Sequence, residues 1–564
     1  MKRTLERVIT TLLALTMLAC LPALSLAEAA PVNNEYGVTP AGTFPITAEK
    51  QEFTVMITQW ADQDPATAWI TDIYEDMSNV HVNWIVVPSD GFKDRVAITF
   101  ASGSMPDVIA GMGGVLTAAE ELQYAAQGLL QPLDEVIERS SIHFKQFLEE
   151  NPQTRKLISQ DDGHIYSLPG LAVCYHCNYS QKFFINKVWL DNVGMGLPTT
   201  TDELYDVLKA FKEQDANGNG DPNDEIPLIT CLLGWHVDLD GYLMNAFIYS
   251  DPDTYMAVED GSLIYTPTQE GYREGLRYLN KLYANELLSP ESFTNNESTN
   301  SKINVAAIAD PKDWENSAAV IGSYPFAYQN YSGDTDIWKQ YEILAPIAGP
   351  DGFVTTPEYS LVRDTIRANM LITKDAKNPD LIMRWVDWFY TKEGTRFRDG
   401  REGIEWRYAE PGELDFNGNQ AEIVSLTTPE DDPFYGNVDW TQSIVINSSK
   451  SVRETLKAAQ DFRDPTINNG TEVQLFQGTK AYEAVARDVN QSIPGLSVPI
   501  DQISEYARIE TELKSYVKTS MVKFITGDMD LDKDWDTFQN NLKRIGLEQY
   551  MEMANTAYSN FINR

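Results

Sequence analysis

Short apolar runs alternate with helix-period stretches along the first part of this chain, and that alternation predicts an α/β fold. Phe53 to Ile57 is one such run, ending at Thr58-Gln59-Trp60, and His81 to Val87 is another. Runs of this length read as strands, and the segment between them, around Ala66 to Met77, reads as a helix. Asp107 to Ala110 predicts a third strand, with Gly111, Gly113 and Gly114 expected to open the next helix through a tight turn. Strand, helix, strand order of this kind builds a parallel or mixed sheet. Farther on, Gln131 to Asp134 closes a helical region, Gly163 to Pro169 reads as an extended crossing segment, and a hinge is expected near 170. Thr200 and Glu203 fit a capping box. Leu204, Val207, Leu208 and Phe211 then recur at helical spacing, which gives one buried face. The last hundred residues read as mostly helical. There Val517 to Ile525 runs into Thr526-Gly527 and a string of aspartates at 528, 530, 532, 534 and 536, expected to cap a helix starting near Asp534 and complement its dipole.

The N-terminus has its own pattern: Lys2, Arg3 and Arg7, an apolar run from Ile9 to Leu26, then small residues at Ala27, Ala29 and Ala30. This is the layout of a secretory signal, assigned to residues 1–29. Leu18-Ala19-Cys20 offers a competing route, a lipid anchor through Cys20, although Met17 and Leu18 fit a lipobox poorly. A secreted, cell-surface-associated protein is expected either way. No other run of eighteen or more apolar residues occurs, so the mature chain is not expected to span a bilayer.

Length and charge narrow the function. At 564 residues the chain can form two domains. With 83 acidic against 44 basic residues its net charge is −39, which repels polyphosphates and argues against a nucleic-acid partner. Cysteine usage adds little: cleavage of the signal leaves Cys174, Cys177 and Cys231. Cys174-Tyr-His-Cys177 reads as a short disulfide or two small buried side chains before it reads as zinc, because no second ligand pair of suitable spacing appears.

One loop carries distinctive chemistry. From Asp215 to Glu225 the chain reads Asp-Ala-Asn-Gly-Asn-Gly-Asp-Pro-Asn-Asp-Glu, with oxygen-bearing side chains at alternate positions and Gly220 at the turn. Hard cations such as Ca²⁺ need six to eight oxygen ligands, and EF-hand loops supply them with this alternation. The twelfth position, where a bidentate Glu belongs, is Ile226, and Pro227 opposes an exit helix. The sequence therefore predicts an EF-hand-like half motif, with Asp215, Asn217, Asn219, Asp221, Asp224 and Glu225 as candidate ligands for a structural Ca²⁺. A turn-rich acidic surface loop is the competing reading.

Taken in order, Ala101 to Asp107, Gly163 to Pro169, Ile185 to Asp191, Leu197 to Glu203, the loop at 215 to 227, Gly349 to Gly352, and Phe524 to Asp530 with Asp534-Trp-Asp536 resemble the extracellular solute-binding proteins of family 1. These are the large carbohydrate receptors of bacterial ABC importers, in their long Gram-positive form. The resemblance implies a type II periplasmic-binding-protein-like α/β clamshell of two lobes, with hinge crossings, a helical C-terminal part and ligand in the cleft. It implies lobe 1 at 50–170 plus 346–440 and lobe 2 at 171–345 plus 441–564, with the calcium loop in lobe 2, away from the sugar. It also implies a monomer that delivers its cargo to a membrane permease.

Sugar rings present apolar C–H faces and a rim of hydroxyls, so their sites need aromatic platforms and polar forks in a largely formed cleft. Candidate platforms are Trp60, Tyr175, Tyr179, Trp235 with His236, Trp314, Tyr324 and Trp406. Gln59, Asp62, Asp107 and Glu405 are the candidate polar groups. Most aromatics simply fill core. The leading expectation is capture of a carbohydrate, an oligosaccharide, without chemistry. A secreted calcium-stabilised glycoside hydrolase or lyase is the alternative, although no recognisable catalytic pairing appears. A receptor for peptides or other solutes on the same scaffold is a third reading.

Overall fold

The computed structural model describes residues 37–59, 64–111, 113–160, 162–172, 175–231, 234–306, 308–333, 335–358, 365–438, 440–441, 444, 446–448, 457, 461–463, 470–487, 493, 496, 498–499 and 501–563. The expected signal at 1–29 with Cys20 lies outside these residues, as do Trp60, Asp62 and Cys174.

The first pass of the chain lays down β1 (Gln51–Gln59), β2 (Val80–Pro88), β3 (Val108–Ala110) and β4 (Ser167–Ala172). It then builds β5 (Lys182–Asn186), a hairpin of β6 (Met256–Glu259) and β7 (Ser262–Tyr265), β8 (Ser323–Phe326) and β9 (Tyr341–Ile343). The return adds β10 (Thr365–Ile372), a small pair β11 (Trp406–Tyr408) and β12 (Ile423–Ser425), and β13 (Ile446–Ser448). Six strands form one sheet in the order β13-β4-β10-β3-β1-β2, with β10 antiparallel to its neighbours and the rest parallel. Phe53, Val55 and Ile57 of β1 face one core and Met56 the other. A strand covered on both faces carries a near-continuous apolar run, which is why 53–57, broken only by Thr54, is so legible. A separate sheet, β8-β5-β9, is antiparallel throughout.

The buried side chains divide the molecule into two lobes. One core gathers residues 38 to 168, 370 to 389, Trp440 and Ile444; the other gathers 179 to 288, Leu344, Ile347 and 482 to 558. The chain passes between them after β4, between β9 and β10, and after β13. Leu344 and Ile347 pack in the second core, and β13 pairs in the first sheet.

Several local expectations change in detail. The first helix among the described residues, α1, spans Trp69–Ser78 and stops at Asn79 in a left-handed conformation. The glycines after β3 do not open a helix: α2 (Ala118–Ala126) begins later, from a complete capping box between Thr117 and Glu120. α3 (Thr201–Glu213) is capped by Thr200, whose hydroxyl accepts the Glu203 N–H, but the Glu203 carboxylate takes the Thr199 N–H and hydroxyl, each at 2.7 Å. Toward the C-terminus, α4 (Gly470–Glu483) is followed by α5 (Ile503–Thr526), which absorbs the run at 517–525, and by α6 (Trp535–Ile545) and α7 (Leu547–Asn563). Asp534 does not cap α6 with its side chain. Its carboxylate accepts the Asp530 N–H at 2.8 Å, which tightens the preceding loop instead.

One buried acid in the second lobe fixes a pH response. Asp240 is fully buried, accepts a 3.3 Å hydrogen bond from Tyr272, and its Oδ1 has no hydrogen-bond partner among the described residues. Burial pushes its carboxyl up to about 7, with Asp238 adding to the rise and Lys518 opposing it. An unfolded Asp titrates near 3.9, so the folded state holds this proton more tightly. The contribution is complete below about pH 4 and is lost as pH climbs toward 7, a difference on the order of 4 kcal/mol. Asp240→Asn is therefore expected to raise the melting temperature relative to wild type more at pH 8 than at pH 5; calorimetry at both pH values checks it, and an equal shift at both would refute the assignment.

Candidate ligand cleft and metal loop

Strand direction decides which loops face the other lobe. The parallel strands β1, β3 and β4 end on one edge of the first sheet, at Gln59, Ala110 and Ala172, the edge where open α/β sheets take ligands. From Ala172 the chain passes directly into the second lobe. There β5 starts at Lys182, opposite Phe326 at the end of β8, while Ile343 at the end of β9 lies opposite Phe184. The segments 175–181, 327–329 and 344–358 therefore share this side, and 234–236 joins them because the Trp235 carbonyl accepts the Ala327 N–H at 3.2 Å.

Tyr175 and Tyr179 occupy the turn after the first passage. Tyr175 donates to Glu483 at 2.7 Å, and its ring lies 5.1 Å from Phe476 of α4 and 6.2 Å from Tyr179. Tyr179 is 7% exposed, and burial pushes its phenol well above the usual range, with Glu358 and Glu483 adding to the rise. Phe476 also packs at 5.2 Å against Phe416, which belongs to the small β11–β12 module. That module is tied to the first lobe by the Arg396–Glu422 ion pair, so the contact carries an aromatic seam across the lobes. Ala119 of α2 packs on the second core in the same manner.

Beside this turn stands a more open pair. Trp235 is 40% exposed and Tyr328 37%, with ring centroids 6.1 Å apart. Sequence reasoning missed Tyr328; its signal was an aromatic two residues beyond the end of an apolar run. His236 is 4% exposed and left-handed, with φ of 56°, and its Nδ1 accepts from Gln181 Nε2 at 2.5 Å. A Cβ on Gly241 would stand 2.0 Å from Gln181 Oε1, so this packing requires glycine there. His236 thus braces the segment from behind.

Other candidates lie elsewhere. Gln59 ends β1 at the cleft edge. Asp107 sits at the amino ends of the strands, on the opposite edge, where its Oδ2 accepts the Thr54 N–H and hydroxyl at 2.8 and 2.6 Å. It lines a groove of about 850 Å³ with Lys50, His81 and Lys377 on that far side. Tyr324 is wholly buried in β8 against Phe184, Tyr331 and Tyr341, so no ligand reaches it. Trp314 packs by the start of β9, its carbonyl accepting from Gln340 at 2.6 Å, away from the cleft edge. Trp406 is 6% exposed in the β11–β12 module, and its indole donates to the Gly400 carbonyl at 2.9 Å. Glu405 is held by the Arg401 N–H and guanidinium, which also bonds Asp432 at 2.8 Å; it locks a loop. Cys177 is in a disulfide and Cys231 is buried outside any disulfide.

The loop after α3 is drawn in by its own polar atoms. The Oδ1 atoms of Asn217 and Asn219 accept the N–H groups two residues on, at 2.9 and 2.8 Å, and Asp221 Oδ1 accepts that of Asn223 at 3.2 Å. Asp215 Oδ2 accepts the Gly220 N–H at 3.0 Å, and Glu225 Oε1 accepts that of Ala216 at 3.0 Å. Both oxygens of Asp224 are held by the Asn217 and Asn219 amides. Asp215 Oδ1 and Glu225 Oε2, by contrast, are buried without a hydrogen-bond partner among the described residues. Burial pushes the Glu225 carboxyl up, and Asp224 adds to it. Buried carboxylate oxygens left unpaired are costly, and a cation is what would satisfy them. No three His, Cys, Asp or Glu side chains converge among the described residues, so amide and backbone oxygens would complete the shell.

Two α/β lobes joined by repeated passages, with aromatic side chains gathered on the facing loops, define a two-lobed solute-binding protein. The chain belongs to the bacterial extracellular solute-binding proteins, whose family model matches residues 58–396. It is 25% identical over 546 residues, 92% of each chain, to the fructooligosaccharide ABC transporter substrate-binding protein FusA of Streptococcus pneumoniae. Lipoprotein LipO of Bacillus subtilis is 22% identical, covering 85% of this chain and 86% of its own. Among solved structures, FusA in complex with kestose superposes with a TM-score of 0.69 at 23% identity, over 91% of this chain and all of that one. An extracellular solute-binding protein from Bifidobacterium longum subsp. infantis does so with 0.72 at 20% identity, over 91% and 98%. These likenesses establish the clamshell fold. Among the described residues no helix is long and apolar enough to cross a membrane.

Proposed function

We propose that this protein captures a neutral oligosaccharide between its lobes at the cell surface and hands it to an ABC permease, without making or breaking a bond. The observation that carries the reading is the part-exposed Trp235–Tyr328 pair beside the Tyr175–Tyr179 turn, on the side where the chain enters from the other lobe. Flat rings offer the C–H faces of a sugar a platform at little entropic cost. A ligand touching both lobes favours the closed arrangement, because that state gains contacts the open one lacks. Relatives named for fructooligosaccharide binding favour a sugar over a peptide. Titration calorimetry with kestose and longer fructans, beside a product assay on the same glycans, tests it. Stoichiometric heat without products is expected; product release in place of binding would support the glycosidase reading.

We further propose that Asp215, Asn217, Asn219, Asp221, Asp224 and Glu225 hold a structural Ca²⁺, with Asp215 Oδ1 and Glu225 Oε2 as its principal charged ligands. The ion would neutralise two half-buried carboxylates and pin the loop to α3. FusA, to which this chain is similar, has been solved as an EF-hand mutant, which supports looking for a cation-binding loop here.

A further inference from the structure

Lys182, the first residue of β5, is wholly buried, yet none of the ion pairs among the described residues includes it. Its Nζ donates to the His176 carbonyl at 2.7 Å and the Tyr179 carbonyl at 2.5 Å, and stands 5.7 Å from the centre of the Tyr482 ring. Glu472 of α4, the acid that acts on this amine, accepts from His176 Nε2 at 3.0 Å, and Glu483 accepts from Tyr175 on the same turn. Removing an ammonium from water costs several kcal/mol, and an apolar side chain of the same volume would pack here without that cost. What Lys182 supplies is a pair of strong hydrogen bonds to two carbonyls of a short 3₁₀ turn. Those carbonyls bracket the turn that carries the Tyr175 and Tyr179 rings.

We infer that Lys182 is a positioning residue for the ligand face: by holding the His176 and Tyr179 carbonyls from below, it sets the height and tilt of the two tyrosine rings against Phe476 and the cleft. The inference rests on the proposed oligosaccharide site. Burial lowers its amine to about 7, and both the charged and the neutral form can donate to the two carbonyls.

Two measurements on Lys182→Met separate this role from simple loss of stability. Amide exchange at 176–180, followed without ligand, is expected to speed up at least tenfold, while the rest of the lobe stays protected. The kestose Kd is expected to weaken about tenfold, or about 1.4 kcal/mol. Leu208→Ala, a core deletion in the same lobe, should lower the melting temperature yet leave Kd and turn exchange unchanged, and Lys182→Arg should restore both. If the Met variant does not fold, Lys182→Gln, whose shorter amide reaches at most one carbonyl, takes its place. A folded variant with wild-type Kd, or with a turn as slow to exchange as in wild type, overturns the inference. If the wild-type chain binds no oligosaccharide, the proposed function fails, and the exchange data alone decide whether Lys182 holds the turn.

Discussion

Replacing Trp235 by alanine is expected to weaken oligosaccharide binding by about 30- to 1000-fold, the 2–4 kcal/mol that a central aromatic anchor contributes in a desolvated contact. The side chain is 40% exposed, so its loss removes little from the core. The ligand-free melting temperature should stay within about 1 °C of wild type, since surface substitutions usually change stability by less than ~0.5 kcal/mol. The ligand-induced rise in melting temperature should disappear at concentrations that saturate the wild type. Trp235→Phe should recover part of the affinity, because a smaller ring still offers a flat face. Tyr328→Ala should fall between the two, as the neighbouring ring 6.1 Å away. Calorimetry returning a wild-type Kd for Trp235→Ala would remove the pair from the binding face and leave the Tyr175–Tyr179 turn as the site.

How much of this was legible beforehand depended on what each residue type can signal. β1 was visible because a strand covered on both faces carries a near-continuous apolar run, β2 because a short apolar stretch recurs after a helix, and α3 because Leu204, Val207, Leu208 and Phe211 line a single face. The cleft was harder. Tyr324 and Trp235 are both aromatics near strand ends, yet one lies under Tyr331 and the other reaches solvent. The side of the sheet on which a residue falls depends on strand direction, which local sequence does not encode. Asp107 failed for the same reason. It precedes its strand, and in a parallel sheet the preceding and following ends lie on opposite edges. Trp406 and Glu405 looked like cleft residues because they follow a helix-like stretch, but a small two-stranded sheet and Arg401 absorb them. Lys182 gave no signal at all, since a lysine beside two phenylalanines reads as a strand end until its partners are seen to be carbonyls.

Removing calcium is expected to lower the melting temperature by about 3–6 °C, and Asp215→Ala should reproduce the fall while abolishing any further effect of chelator. A ligand at about a hundred times its Kd stabilises the state that binds it by about 2.7 kcal/mol, and a lobe of this size loses about 2 °C per kcal/mol. The argument starts from two orphaned oxygens. Asp215 Oδ1 and Glu225 Oε2 are buried without partners, while every other loop carboxylate oxygen that is buried is bonded to an amide. In the metal-free state burial, with Asp224 adding to it, makes the Glu225 carboxyl hold its proton more tightly, so proton and metal compete for one atom. Calcium affinity should therefore fall as pH drops from 7 to 5, with proton release on binding, and a glycan should raise the melting temperature additively because its face is on the other side of the lobe. Elemental analysis finding no calcium in protein purified without chelator, together with a melting temperature indifferent to EDTA, would show that the loop's own hydrogen bonds hold it without a cation.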